Sequence, residues 1–184
     1  MDSSTVRTHL VIANIQKRHN VQALIATAIG LGVSTVFIVG QPTLDLDPNS
    51  DTAKIPLYLR QALLSDTSEE GDLTDPPRGT ARVRRFGKWK ECVAYLQRLH
   101  IPLVGVEIDK RAITIEELLI KCQPLCHVAL VMGNEGQGMS DSQMNDCQYL
   151  VRLPQYGAGT ASYNVYVAAS LVLQRLHQWQ TTGT

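Results

Sequence analysis

The absences in this chain narrow it before anything else does. None of the apolar runs in its 184 residues approaches the roughly 20 needed to cross a bilayer. The opening "MDSSTVRTHL" also lacks the basic-then-apolar pattern of a secretory signal. No membrane partner is expected, and a cytoplasmic, reducing compartment is. Cysteine is scarce: Cys92, Cys122, Cys126 and Cys147 do not have the spacing of a disulfide framework. "CQPLCH" sets Cys122, Cys126 and His127 close together, but zinc spacings usually come as two such pairs, so no metal is expected. Charge of one sign is not in excess, with 17 Lys+Arg against 17 Asp+Glu, which removes the global signature of a nucleic-acid binder. The phosphate cradle G-x-x-x-x-G-K-[ST] is missing. So is the dinucleotide fingerprint, because "GNEGQG" (133–138) reads G-x-x-G-x-G and follows a late strand. No internal repeat is visible, and no separate RNA-binding domain is expected.

What is present reads as one globular domain over residues 1–184, 44% hydrophobic and 18% charged. Strands are predicted at 9–15, 34–40, 103–108, 127–132 and 149–154. Between them fall helices at 20–32, 88–99, 113–122 and 162–179, with a possible short one at 55–64. Asn20 is the expected cap of the first helix and Gly30 or Gly32 its stop. Ser140 and Gln143 match a capping box. The last helix carries Val165, Ala169, Val172, Leu176 and Trp179 on one stripe. Residues 41–77, rich in Pro, Asp, Ser and Thr, read as a loop or insertion. Alternation of strand and helix implies an α/β fold, a mostly parallel sheet with helices on both faces.

Charge is unevenly spread. "RGTARVRRFGKWK" (78–90) has Arg78, Arg82, Arg84, Arg85, Lys88 and Lys90 and no acid, so it is either a track for phosphates or a solvated face. Trp89 is expected in the core. The stretch "LVMGNEGQGMS" (130–140) places Gly133, Gly136 and Gly138 around Glu135 at the end of a strand, either as a tight turn or as a loop that admits a ligand to the backbone.

Three stretches taken together resemble the sequence motifs of the SpoU (TrmH) branch of the SPOUT methyltransferases. They are "NVQALIATAIGLGV" (20–33), "GNEGQG" (133–138) and "RLPQYGAGTASYNVYVAA" (152–169). Within that branch, "VGVEI" followed by a short helix is most similar to the eukaryotic tRNA guanosine ribose methyltransferases. The resemblance implies a C-terminal trefoil knot, a homodimer, and S-adenosylmethionine as donor for methylation of an RNA ribose 2′-hydroxyl, tRNA favoured over rRNA. It implies a donor site lined by Gly133, Leu153, Tyr163, Met132 and Gly138, with Glu107 at the end of its strand. Glu135, Ser162, Asn164 and Asn20 fall at the methyl-transfer centre, although Ser162, Asn164 and Asn20 are equally good helix caps. For the dimer, Val21, Leu24 and Ile25, or Leu171 and Val172, are the expected apolar contacts.

Two departures stand out. The third motif is one residue longer than usual between Pro154 and Ser162. More consequential, the first motif's arginine, credited in the family with activating the hydroxyl, is Ala26 here, and Arg18 is the nearest replacement. Ala26 therefore separates an active enzyme from a silent RNA-binding protein with the same fold.

Overall fold

A computed structural model describes residues 7–68, 74–122, 127–134, 136–157 and 162–182. Seven strands form one sheet in the order β3-β4-β2-β1-β6-β5-β7. They are β1 (Arg7–Ala13), β2 (Thr35–Val39), β3 (Leu63–Ser65), β4 (Ala81–Phe86), β5 (Leu103–Val106), β6 (His127–Met132) and β7 (Tyr149–Val151). Every pairing is parallel. The helices are α1 (Arg18–Gly30), α2 (Leu57–Gln61), α3 (Trp89–Arg98), α4 (Ile115–Cys122), α5 (Asp141–Asp146) and α6 (Val165–Thr182). None of them, among the described residues, is long and apolar enough to cross a membrane.

Residue alternation along the strands divides the core in two, because successive side chains point to opposite faces. Leu10, Ile12, Val36, Ile38, Leu130 and Met132 pack under α1, α4 and α6. Val11, Ala13, Phe37, Val39, Ala129 and Val131 pack under α3. Both faces are covered, so the central strands are apolar throughout rather than alternating, as buried parallel strands are. On α6, Val165, Ala169, Val172 and Leu176 are buried and Trp179 packs against the same cluster, as the stripe predicts.

The ends of the helices show how local sequence sets them. At the end of α1, Val33 N–H donates to the Ala28 carbonyl at 2.9 Å and Gly32 N–H to Ile29 at 3.3 Å, with Gly32 at φ +70°. This is a Schellman stop, and it needs a glycine at that position. The start differs from expectation. Lys17 is the cap, without a side-chain bond, and Asn20 lies inside the first turn, fully buried. In α5 the reciprocal Ser140–Gln143 box is present as predicted.

Two strands are additions to the sequence reading. "ARVRRF" forms β4, burying Ala81 and Val83 between its arginines. The 41–77 stretch, expected as loop or insertion, is loop over most of its described length but supplies α2 and the edge strand β3. It is tied down from inside: buried Arg60 donates to the carbonyls of Ile55 (3.0 Å), Ser50 (3.1 Å) and Asp47. The expected dimer contacts Val21, Leu24, Ile25 and Val172 are buried in the chain's own core; of that set only Leu171 is exposed.

Candidate functional site

The loops leaving β5, β6 and β7 all emerge at the carboxyl edge of the sheet, where open parallel sheets keep their ligand crevices. There they enclose a cavity of about 510 Å³, within the range of small-molecule sites. Glu107 and Ile108 contribute from beyond β5, Gly133, Asn134 and Gly136–Gly138 from beyond β6, and Arg152, Leu153 and Gln155 from beyond β7. Ser162, Tyr163 and Asn164 close it at the start of α6, and Lys17 and Asn20 at the start of α1. Met132, Val106, Val151 and Val165 form its apolar floor.

The glycine loop is held by its own backbone. Asn134 and Gly138 exchange N–H to carbonyl bonds of 3.0 and 2.9 Å. The Asn134 side chain accepts from Gly136 N–H (2.9 Å) and donates to the Asn14 carbonyl at the end of β1 (2.9 Å). Glu107 pins the loop from across the cavity: one carboxylate oxygen accepts Met139 N–H at 2.7 Å and the other Ile108 N–H at 2.9 Å. Gly138 sits at φ +67°, and a Cβ there would strike the Glu107 carboxylate. A Cβ on Gly133 would lie 2.7 Å from Gly138 C and Met139 N. Its glycine is therefore required by the loop's closure on itself. Gly136 is different, since a Cβ there would meet only Asn134 Oδ1 at 3.8 Å.

The first and third motifs meet here as well. Asn164 Nδ2 donates to Asn20 Oδ1 at 3.3 Å, joining positions 144 apart in sequence. Asn164 Oδ1 meanwhile accepts Tyr166 N–H at 3.1 Å, capping α6. One amide thus caps α6 and ties the third motif to the first. Thr27 Oγ1 and Ser170 Oγ, 3.3 Å apart, continue the α1–α6 seam. Ser162 and Tyr163 line the cavity, Tyr163 with 42% of its surface exposed.

Glu135, Cys126 and the residues at 158–161 lie outside the described residues. Among those described, no three His, Cys, Asp or Glu side chains converge as a metal site would. Ala26 is half-buried on α1 and packs against the core. Arg18, proposed to replace the motif's arginine, lines a second depression beside this cavity, not the cavity itself. Among the described residues, Lys17 and Arg152 are the cations on the cavity wall. Sequence reading passed over both, although "KRHN" contains the first and "RLP" opens with the second.

The basic stretch at 78–90 is largely occupied internally. Arg82 donates to the Thr74 carbonyl (2.7 Å), and Arg85 to those of Gln41 and Leu44 (both 2.5 Å). Arg84 lies over the Tyr95 ring at 4.2 Å and 3.6 Å from Asp66. Lys90 pairs with Asp146 at 3.0 Å, and Trp89 Nε1 donates to the same carboxylate while its ring packs into the core. Most cations of this stretch thus bind the chain's own groups, while Arg78, Arg85, Lys88 and Lys90 are exposed.

Comparison with known proteins places these features. The sequence model of the SpoU rRNA Methylase family matches residues 78–174. A 23S rRNA (guanosine-2′-O-)-methyltransferase, RlmB, from Neisseria meningitidis serogroup B is 26% identical over 164 residues, covering 89% of this chain and 55% of that protein. The chain thus spans little more than half the length of that relative. Among solved structures, the SpoU methyltransferase AviRb from Streptomyces viridochromogenes, in complex with AdoMet, superposes with a TM-score of 0.70 at 17% identity, over 100% of this chain and 61% of that one. The A. aeolicus TrmH/SpoU tRNA modifying enzyme does so with a TM-score of 0.64 at 19% identity, over 98% and 78%. At these identities the structures speak for the fold.

Proposed function

The chain belongs to the SpoU rRNA methylase family, and from that premise we propose that it is an S-adenosylmethionine-dependent RNA 2′-O-ribose methyltransferase. The observation that carries the proposal is the Asn164–Asn20 bond, which closes one cavity from the first and third motifs against the glycine loop of the second. The cavity suits the donor. It has an apolar floor for a nucleoside, backbone N–H and C=O groups brought close by glycines, and a volume matched to a small ligand. Gly133, Gly138, Met132, Leu153 and Tyr163 would hold the donor, with Glu107 keeping the loop in shape. Bound there, S-adenosylmethionine supplies a methyl group on a positively charged sulfur.

The chain's own residues supply placement. Asn164, fixed through both ends of its amide, and Ser162 beside it set the wall against which a ribose is positioned. Asn20 holds Asn164 in register, and Glu135 joins this centre by its place in the motif. Loss of the hydroxyl proton is helped by positive charge nearby, and with Ala26 in place of arginine the cations on this wall are Lys17 and Arg152.

Our reading includes the family's C-terminal knot, supported by the order β6-β5-β7, in which the connection from β6 to β7 has to pass β5. It also includes a homodimer acting in the cytoplasm. The relatives named above are bacterial, one named for rRNA and one for tRNA, so the motifs' leaning toward tRNA becomes one arm of the test. Ala26 favours a second reading, a silent RNA-binding protein. Tritiated methyl transfer to total tRNA and to rRNA, with calorimetry of donor binding, separates the two. Wild type is expected to bind about one donor per chain and to label one RNA. Donor binding without label, with label gained by Ala26→Arg, would establish the silent protein. No donor binding at all would end the proposal.

A further inference from the structure

The second depression, of about 480 Å³, lies across the α1 turn from the donor cavity. The turn alternates in its loyalties. Lys17 and Asn20 face the donor cavity, while Arg18 and Val21, one step on, face the second depression, as i and i+3 neighbours on a helix share a side. Its floor is apolar, from Ile15, Val21 and Ile55, all buried. Its rim is polar, with Thr43 and Thr52. Arg18 and Lys54 stand on it, both exposed, and among the described residues no side-chain bond or ion pair engages either cation. That contrasts with β4, whose arginines are spent on the chain's own carbonyls. Behind the wall, the Arg85 guanidinium sits on the Gln41 and Leu44 carbonyls. The one acid on the wall, Asp45, stays ionised, its carboxylate accepting from the Ser50 hydroxyl and the Asp47 N–H, and stands against the two cations Arg18 and Lys54.

We propose that this depression is a subsite for a nucleotide of the RNA strand flanking the methylated one, its base over Ile15, Val21 and Ile55 and its phosphate between Arg18 and Lys54. An apolar floor beneath two exposed cations matches a base joined to a phosphate. The position, on the adjacent face of the same α1 turn that lines the cavity where the ribose is to be placed, matches a neighbour in the same strand. The proposal rests on the methyltransferase reading and assigns Arg18 to holding RNA, where the motif comparison had suggested chemistry. The wall opposite Arg18 comes from the 41–55 segment, so this part of the chain gains a role.

The test uses the full chain and a fluorescently labelled, mixed-sequence single-stranded RNA about 15 nucleotides long. Wild type, Arg18→Ala, Lys54→Ala, the double variant and Arg98→Ala are compared by anisotropy over a salt series, with donor affinity measured alongside. Arg98 is a surface cation at the far end of α3 and serves as the control. Each single variant should weaken RNA binding about three- to tenfold and lower the salt slope by about 0.7, the double variant by about twice that. Donor affinity and the Arg98→Ala variant should match wild type. Wild-type RNA affinity and salt slope in the double variant would overturn the subsite and leave the methyltransferase reading intact. Unaltered RNA affinity with a fallen kcat in Arg18→Ala would also overturn it, returning Arg18 to the chemistry. Wild type that binds neither RNA nor donor would overturn the reading beneath it.

Discussion

Gly133 and Gly136 stand three residues apart in one loop, yet a side chain means different things at each. Gly133→Val drives a branched carbon into the Gly138–Met139 backbone. It should cost at least about 2 kcal/mol, seen as a lower urea midpoint, and donor binding should go with the loop. Gly136→Val meets, among the described residues, only the Asn134 side chain at ordinary contact distance. It should unfold near the wild-type midpoint, and any loss of donor heat then reports occupied volume in the cavity. A fallen midpoint in Gly136→Val would contradict this division. At the other end of β1 and β6, His9 Nε2 lies 3.1 Å from His127 Nδ1, and His9 Nδ1 is buried without a partner among the described residues. Burial, aided by His127 and Arg7, pushes the His9 imidazole down to about 3 from an ordinary value of 6.5. The unfolded chain therefore takes up this proton first as pH falls. The stability His9 contributes is whole above about pH 6.5 and drains away toward pH 3, at up to about 1.4 kcal/mol per pH unit. Urea midpoints at pH 5 should lie below those at pH 7.5, and His9→Phe should remove most of that difference. An equal difference in the variant would put the proton elsewhere.

At the scale of elements, the 41–55 segment depends on Arg60 far more than on its own sequence. Its carbonyls at Asp47, Ser50 and Ile55 converge on one buried guanidinium. Arg60→Met keeps the volume but removes the donors, at a cost of about 2–3 kcal/mol. Proteolysis should then cut within 41–55 in the variant and not in wild type; equal resistance would show that the guanidinium is dispensable. How much of this was legible in sequence varies with the distance over which each cause acts. The α5 capping box, the apolar β6 and the α6 stripe were all readable, because each is set by residues within a few positions. β4 was hidden by Arg82, Arg84 and Arg85, which drew attention as charge, although Ala81 and Val83 alternate with them as a strand requires. β3 is too short to announce itself. In the candidate site, the convergence of the three motifs was foreseen through family likeness. The Glu107–Met139 clamp, the Asn14–Asn134 bond and the division of Lys17 from Arg18 were not, because each depends on which strands the sheet sets side by side.

The whole molecule leaves apolar surface uncovered beside the helices that carry the first and third motifs. Leu171 on α6 is 46% exposed and Ile120 on α4 is 68% exposed, and the homodimer is expected to use this side. Light scattering at low micromolar concentration should give about twice the 20.3 kDa chain, and Leu171→Glu should shift the mass toward one chain. A wild-type monomer would remove a cross-subunit site from consideration. The sheet has a further consequence, in the time order of synthesis. β1 takes β2 as one neighbour from the next stretch of chain, but its other neighbour is β6, which ends only at Met132. At about 5–20 residues per second, the ribosome completes β2, β3 and β4 seconds before β6 exists. Throughout that interval the apolar flank of β1 is an unpaired edge, able to recruit a strand from another nascent chain. The strand that later seals the middle of the sheet also launches the glycine loop, so chaperone protection of that edge and maturation of the site should end together.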